Sequence, residues 1–471
     1  MPSPAELKRT IGLRDLTLFY LAAVMSVRWT AMAASAGPSV LVIWIAALFC
    51  FFVPLAACVM ELSSRYPQEG GLYVWSREAF GDFSGFTAAW AYWMSNLPYL
   101  PGVLYFGAAS VLFALGSRGR EWSASPGYFM WFALIWIAAI TVMNILGVNA
   151  GKWLNNVSSM GGTISLAALI LLGAVSCWRF GAVTPITAAS LAPHWSVKNA
   201  IFWSSVFFAF AGVEMGSAMG DEIKQPRRVI PLAILMGGCV IVIGYVAGTA
   251  SLLIALPSGA VSGPEGFMNG VGALSSHLGV GWMLVPLALL VGLNGVGGAA
   301  ASLSSTSRLP FVAGIDHYLP SAFGKIHPRF RTPWVAIGVY GLAAMGMALF
   351  SQAGTTVHGA YDVLVSMAVL TEFLPFLFVF SAIIRVQGRP VSADVRRVPG
   401  GRPVAIVLAG VGLASTLLTI VLSVIPADDD PHPAWAVVKV AGATAVLVGA
   451  GIVVFLIERR RLSASFSLDM K

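Results

Sequence analysis

The sequence predicts an all-α membrane protein with twelve transmembrane helices. Hydrophobic residues make up 58% of the chain and charged residues only 10%, whereas a soluble domain carries about 25% charged residues. Glycine, proline and charged residues divide the chain into apolar segments, most of them about 20 residues long, which is the length that crosses the hydrocarbon layer of a bilayer. With so little charge to cover a water-exposed surface, the chain is expected to be embedded in a lipid bilayer.

Each predicted span is an apolar run that ends at turn-forming or charged residues. The twelve predicted spans are Leu16–Ala36, Ser39–Met60, Phe83–Leu115, Gly127–Ile145, Val157–Val175, Ile201–Met219, Ile230–Leu256, Gly279–Ser302, Trp334–Phe350, Val363–Ile384, Val404–Ile425 and Ala434–Ile457.

The basic residues predict the orientation of these spans. An N-terminus on the cytoplasmic side places most of the 28 Lys and Arg residues in cytoplasmic loops, as the positive-inside rule requires. The even number of spans then puts both termini in the cytoplasm of a multi-pass cell-membrane protein. Because the positive charge is spread over short loops between apolar runs, a nucleic-acid partner is not expected. The oligomeric state is not readable from the sequence.

Several chemistries are not expected from the motifs. The six histidines lie in loops or at span ends without the H-x-x-x-H or H-E-x-x-H spacing of a helical metal site, and no phosphate-binding G-x-x-x-x-G-K-[ST] loop occurs. The four cysteines lie in or beside apolar segments and are interpreted as ordinary buried thiols. The sequence therefore predicts neither an enzyme nor a bound metal or cofactor.

Two spans carry signs of a broken helix. In the first span, Met25–Thr30 interrupts an apolar run with small polar groups and Arg28, and in the sixth span Phe208–Ser217 contains two glycines and Glu214. A backbone break is tolerated in a membrane only inside protein or beside a cavity, and breaks in matching halves point to a transport site near the middle of the bilayer. The alternative is a pair of continuous helices with packing glycines.

Three motif regions carry a resemblance to a known family. They are Phe210–Glu214 followed by Asp221–Pro231, then Glu61–Pro67 followed by Gly70–Trp75 and Ala79–Gly81, and Ser307-Arg308 followed by Asp316, Leu319-Pro320, His327-Pro328 and Thr332-Pro333. In their order along the chain they resemble the corresponding regions of the amino acid–polyamine–organocation permeases over the first ten spans. The final two spans, joined by the turn Pro426–Pro433, resemble the glutamate/γ-aminobutyrate exchanger branch.

The resemblance implies a LeuT-type fold, in which a 5+5 inverted repeat of helices is followed by two peripheral helices. The implied units are a cytoplasmic tail at 1–14, a ten-helix transport core at 15–386 with repeats at 15–180 and 200–386, two peripheral helices at 403–457, and a cytoplasmic tail at 458–471. The Gly-Ser-Gly run that many relatives carry in span one is replaced here by Met25-Ser26-Val27-Arg28.

The resemblance also implies secondary active transport of amino acids or related amines by alternating access. The coupling is expected to be to protons or to exchange of a second solute. Sodium is a further alternative, because Ser304, Ser305 and Thr306 offer hydroxyl oxygens. A transporter-fold solute sensor or a channel without coupled transport is the alternative function.

Three charged residues lie inside predicted spans, where each costs about 2.5–3.5 kcal/mol at a helix centre. Glu214 and Glu372 are predicted to act in gating or coupling, and Arg28 is predicted to pair with Glu372 while substrate carboxylate competes for it. The predicted substrate-binding residues lie on spans one, three and six: Met25, Ser26, Val27, Arg28, Thr30, Trp93, Asn96, Phe208, Ala209, Phe210 and Gly212.

Overall fold

The computed structural model describes residues 7, 9–193, 197–261, 263–351, 357–392, 394–424 and 433–469. Parts of both predicted tails and most of the predicted turn at 426–433 lie outside these residues. Within the described residues the chain is helical, and an isolated bridge between Ile11 and Ile223 is the one β-type pairing.

The α-helices of the first half of the chain are α1 Leu13–Ala23, α2 Arg28–Ser35, α3 Val40–Ala47, α4 Val53–Arg65, α5 Leu72–Phe80, α6 Asp82–Leu112, α7 Ser117–Trp122, α8 Pro126–Leu146, α9 Val148–Phe180 and α10 Ala188–Leu191. Those of the second half are α11 Val197–Phe208, α12 Pro226–Ala255, α13 Gly266–His277, α14 Leu284–Thr306, α15 Arg308–Ile315, α16 Trp334–Ser351, α17 Val357–Val386, α18 Gly401–Val424 and α19 Pro433–Asp469. Short 3₁₀ segments lie at Phe113–Leu115, Met215–Glu222, Ser258–Val261, Gly281–Met283 and Ser321–Gly324.

Ten helical segments of the described residues are long and apolar enough to cross a membrane. They confirm ten of the twelve predicted spans, and the largest difference is in the eighth, which runs over Gly281–Gly314, beyond the predicted Gly279–Ser302. The sixth predicted span is divided between α11 and the 3₁₀ segment Met215–Glu222, and neither piece is long enough to span the hydrocarbon layer alone. The twelfth lies within α19.

Span two contains a π-helical segment, Leu48–Phe52, between α3 and α4. Pro54 follows it and has no N–H to donate to the carbonyl of Cys50 one turn earlier. The hydroxyl of Ser415 on α18 donates to that carbonyl instead, at 2.8 Å. The side chain of a peripheral helix thus satisfies a backbone group that the proline leaves free inside the membrane.

Helix α6 packs against α14 and α17 at the centre of the bundle. Glycines allow the closest approach: a Cβ added at Gly107 would lie 3.2 Å from the carbonyl oxygen of Gly292, and one at Gly295 would lie 3.0 Å from that of Val103. Small residues at such crossings let two backbones approach in lipid, where packing replaces the hydrophobic effect. Helix α14 also packs against α1 and the segment Met215–Glu222, so this crossing holds α6 beside the two interrupted spans.

Candidate functional site

The first interruption separates α1 from α2. Helix α1 ends at Ala23 and α2 begins at Arg28, and residues Val24–Val27 between them are not helical. The Ser26 N–H donates to the carbonyl of Val24 at 2.8 Å. Within the described part of the chain, the N–H groups of Val27 and Arg28 make no backbone hydrogen bond. The predicted break in span one is therefore confirmed, and it leaves donors free at the start of α2.

The second interruption follows α11 and covers Ala209–Glu214. Its turn depends on Gly212, whose φ of +111° lies in the region that residues with a Cβ rarely adopt. The Gly212 N–H donates to Glu214 Oε2 at 3.1 Å, and the chain then continues as the 3₁₀ segment Met215–Glu222. The predicted break in span six is confirmed as well.

The two interruptions touch each other. A Cβ at Gly212 would lie 3.0 Å from Cγ2 of Val24. The hydroxyl of Tyr245 on α12 lies 3.1 Å from the carbonyl oxygen of Ala209, within hydrogen-bonding distance of the carbonyl of Val24, and 3.4 Å from the Ser26 nitrogen. One tyrosine therefore connects backbone groups that both breaks leave without helical partners. Sequence reasoning missed Tyr245.

Glu214 and Glu372 are both held by α6. Tyr92 on α6 donates to Glu214 Oε1 at 2.6 Å. Ser95 and Asn96, the latter at 3.3 Å, donate to Glu372 Oε2. Positions three and four residues apart share a helix face, so both carboxylates meet the same face of α6. The two acids are buried, with 1% and 4% of their surface exposed.

Asn96 connects this face to further helices. Ser302 on α14 donates to Asn96 Oδ1 at 2.9 Å, and Tyr340 on α16 donates to its backbone carbonyl at 3.0 Å. Because the Asn96 amide serves as donor to Glu372 and as acceptor for Ser302, its orientation is fixed by the network.

Arg28 is 3% exposed, and its guanidinium lies 4.2 Å from the ring centre of Trp29 and 4.9 Å from that of Tyr99. Nε and Nη1 have no hydrogen-bond partner among the described residues. A Cβ at Gly102 would lie 3.9 Å from Nη1, so the small residue leaves room beside the charge. A buried guanidinium without a partner is costly, which makes this position one that an anion would stabilise.

The predicted ion pair between Arg28 and Glu372 is wrong. No ion pair joins them within the described chain; Glu372 accepts hydrogen bonds from Ser95 and Asn96. Tyr99, which lies under the guanidinium of Arg28, follows Ser95 by four residues. At a rise of 1.5 Å per residue, the two positions are about 6 Å apart along α6. The two charges therefore meet different turns of α6, and each has its own surroundings.

The other predicted site residues fall into two groups. Phe208 packs edge-on against Trp29, with ring centres 5.3 Å apart, and so lies beside Arg28. Phe210 instead packs with Trp44 and Phe52 of span two. The structure therefore brings Phe208, but not Phe210, to the aromatic surroundings of Arg28.

Trp93 packs against Trp90, with ring centres 5.4 Å apart, on the side of α6 where Leu309 and Pro310 lie. The hydroxyl of Thr30 donates to the Val27 carbonyl at 2.6 Å. Met25 is fully buried. The Ser305 hydroxyl, proposed as a sodium ligand, donates to the carbonyl of Met215 at 2.6 Å.

A polar stripe on span three was only partly recognised from the sequence. Tyr92, Ser95, Asn96 and Tyr99 recur at the spacing of one helix face, and the structure turns all of them towards the charged residues. The helical period of these residues is the signal that identifies Ser95 and Tyr99.

The chain is similar to known membrane proteins over most of its length. A family model described as amino acid permease matches residues 11–455. An uncharacterized transporter of Legionella pneumophila is 25% identical over 90% of this chain and 91% of its own. A serine/threonine exchanger of Bacillus subtilis is 26% identical over 78% of this chain and 80% of its own length. A probable agmatine/putrescine antiporter of Lactococcus lactis is 26% identical over 72% of this chain and 71% of its own length.

Proposed function

This chain belongs to the amino acid permease family, and on that premise we propose that it is a secondary active transporter of amino acids that works by alternating access. The proposed fold has twelve transmembrane helices, with repeats at 15–180 and 200–386 in inverted orientation and peripheral helices at 403–457. The positions of the breaks support this arrangement, since one lies in the first span of each repeat.

The proposed substrate site lies where the two breaks meet. Met25–Arg28 and Thr30 form its side on span one, Phe208, Ala209 and Gly212 its side on span six, and Asn96 its side on span three. The predicted residues Phe210 and Trp93 pack elsewhere, against span two and Trp90. The Tyr245 hydroxyl, which contacts both breaks, supports a shared site. Backbone groups that a broken helix leaves free are available to a polar ligand at this depth.

The Arg28 guanidinium, whose Nε and Nη1 have no hydrogen-bond partner among the described residues, carries the proposal. A carboxylate can accept two parallel hydrogen bonds from one edge of a guanidinium, formed by Nη2 together with either Nε or Nη1. The start of α2, with its free N–H groups, adds a favourable dipole for an anion. We therefore assign the substrate carboxylate to Arg28, which favours amino acids over amines that lack a carboxylate.

Glu214 and Glu372 are proposed to act in gating or coupling. Both are buried carboxylates held by α6, and Glu214 also holds the turn at Gly212. A proton or a substrate amine reaching either acid would change the hydrogen bonds between α6 and a broken or neighbouring helix. This supports proton coupling, whereas exchange of one solute for another would need no change of protonation.

The proposed location is the cell membrane, with both termini in the cytoplasm. The ten spans support membrane insertion, and the basic loops support the orientation. A solute sensor with the same fold would bind the carboxylate at Arg28 without moving it. Counterflow of a labelled amino acid in proteoliposomes distinguishes the two functions.

A competition panel tests the substrate assignment. Purified protein in detergent would be equilibrated with one labelled amino acid that binds, and challenged with amino acids, their methyl esters and the matching amines. We expect free amino acids to compete, whereas the esters and amines should compete poorly because they offer no carboxylate. Equal competition by ester and acid would contradict the assignment of the carboxylate to Arg28.

A further inference from the structure

A second buried charge cluster lies at the end of the bundle that carries the N-terminal segment. It consists of Arg308, Glu222 and Glu69, and we call it the Arg308 cluster. Arg308 is 1% exposed, and its Nε and Nη2 donate to Glu222 Oε1 at 2.9 and 2.7 Å. Its Nη1 donates to the carbonyl of Ser304. The guanidinium charge is thus already matched by Glu222.

Glu69 adds a second carboxylate to this single cation. It is 6% exposed, and its Oε2 accepts a hydrogen bond from the Asp221 N–H at 3.0 Å. Its Oε1 lies 3.8 Å from Arg308 Nε, too far for a hydrogen bond. Glu69 Oε1 and Glu222 Oε2 are both buried without a partner among the described residues. Two ionised carboxylates here would leave one negative charge buried and unmatched, which is costly.

On balance, the surroundings of Glu69 favour the protonated form of its carboxyl group. Burial raises the pKa of the Glu69 carboxyl well above its usual range, and the negative charges of Glu222 and Asp221 raise it further, whereas Arg308 and the hydrogen bond from the Asp221 N–H act against them. A cavity of about 500 Å³ borders the residue. The other charged groups that line it are Arg9, Arg77, Glu78, Asp221 and Asp316, of which Arg77 is paired with Asp316. A proton on Glu69 would remove the unmatched charge.

Glu69 also lies where three segments of the chain meet. It belongs to the turn between α4 and α5, where the Gly70 N–H donates to the carbonyl of Ala218 at 3.0 Å. The segment Met215–Glu222 is the half of span six beyond the break, and the Thr10 N–H from the N-terminal segment donates to the Glu222 carbonyl at 2.9 Å. Separation of these parts would open this end of the bundle and admit water to Glu69.

We propose that the Glu69 carboxyl is a proton-binding site that is occupied while this end of the transporter is closed and releases its proton to water when the segment Met215–Glu222 moves away. The inference rests on the alternating-access motion of the proposed function. It does not depend on where substrate binds. The site makes opening of this face, predicted to be cytoplasmic, sensitive to pH.

The sign of the effect follows from linkage. The carboxyl holds a proton more tightly in the closed state than in the open, hydrated state, so low pH favours closure. As pH rises between the open-state and closed-state pKa values of Glu69, the ratio of open to closed molecules increases by up to about tenfold per pH unit. Outside that range the ratio is constant.

Distance measurement between spin labels tests this without relying on a pH-sensitive reporter. Labels at Lys224 and Lys325, both exposed, would report the position of the segment after span six relative to the loop after α15. The labels would be placed in a chain whose four cysteines are replaced. The variants are Glu69→Gln, which mimics the protonated acid, and Glu78→Gln as a matched control, because Glu78 lines the same cavity and is 41% exposed.

We expect the wild-type chain and Glu78→Gln to show a longer-distance population that grows with pH. Glu69→Gln should show the short distance at every pH. A wild-type distribution that does not change with pH, or a Glu69→Gln variant with the wild-type pH response, would overturn the proposal. Loss of the pH response in Glu78→Gln would also overturn the proposal, because the proton would then bind at Glu78 and not at Glu69. Absent solute uptake together with pH-dependent opening would count against the proposed function and not against this site.

Discussion

Substitution of Arg28 by methionine should separate ligand binding from stability. The side chain keeps its approximate length and loses the charge, and Arg28→Lys serves as a control that keeps the charge without the planar fork. In the structure the guanidinium has ring contacts with Trp29 and Tyr99 but no hydrogen bond from Nε or Nη1 within the described chain. The substitution therefore removes an unpaired buried charge and leaves no partner stranded.

The expected magnitudes differ strongly between the empty and the occupied protein. Without ligand, each lost cation–π contact costs about 2 kcal/mol in a desolvated site, and relief of the buried charge offsets this cost. We therefore expect the free energy of unfolding to fall by less than the roughly 3–5 kcal/mol that breaking a buried ion pair costs. A hydrogen bond to a charged group contributes about 1.5–3 kcal/mol. Loss of one such bond weakens binding roughly 10- to 150-fold, so binding of a carboxylate substrate should weaken by at least that factor, with an intermediate loss for Arg28→Lys.

The assay is thermal unfolding in detergent combined with equilibrium binding of a labelled amino acid. Unchanged affinity in Arg28→Met would refute the carboxylate assignment. A loss of about 3–5 kcal/mol in the empty protein would also refute the reasoning, because that is the cost of stranding one member of a buried ion pair. Glu372→Gln provides a further control, since its effect on the unfolding free energy should add to that of Arg28→Met if the two side chains are independent.

Three further predictions concern the breaks and the helix crossing. Glu214→Gln should change the pH dependence of solute uptake while the protein still folds, and an unchanged pH profile at an unchanged rate would remove Glu214 from the mechanism. Tyr245→Phe should lower the free energy of unfolding by about 1–3 kcal/mol, since backbone groups at the breaks lose their partner, and more than Tyr128→Phe, which removes one half-buried hydroxyl from a single carbonyl. Gly295→Ala should cost about 1–3 kcal/mol in thermal unfolding because its Cβ would crowd α6, whereas Gly338→Ala, with open space around it, should be near neutral.

The spans and the breaks were predictable because their signals are local. Apolar length identifies a span, and polar or glycine residues inside an apolar run identify a break, as at Ser26 and Gly212. Each of these predictions depends on neighbours within one or two turns of the same helix.

The partners of the buried charges were not predictable in the same way. The pairing of Arg28 with Glu372 failed because sequence gives the approximate depth of a side chain but not the rotation of its helix or the exact turn it meets. Tyr245 was missed because a tyrosine within an apolar span does not differ in sequence from a packing aromatic. Glu69 lies in the turn between α4 and α5, and only the fold places it against span six and α15.

Counterflow in proteoliposomes tests the central claim most directly. Vesicles loaded with an unlabelled amino acid that binds the purified protein would be diluted into a trace of the same labelled amino acid. We predict transient accumulation of label inside vesicles that contain the wild-type chain, and much less with Arg28→Met at the same tracer concentration. Label that binds the protein but never enters the vesicle lumen would contradict transport and identify the chain as a solute sensor.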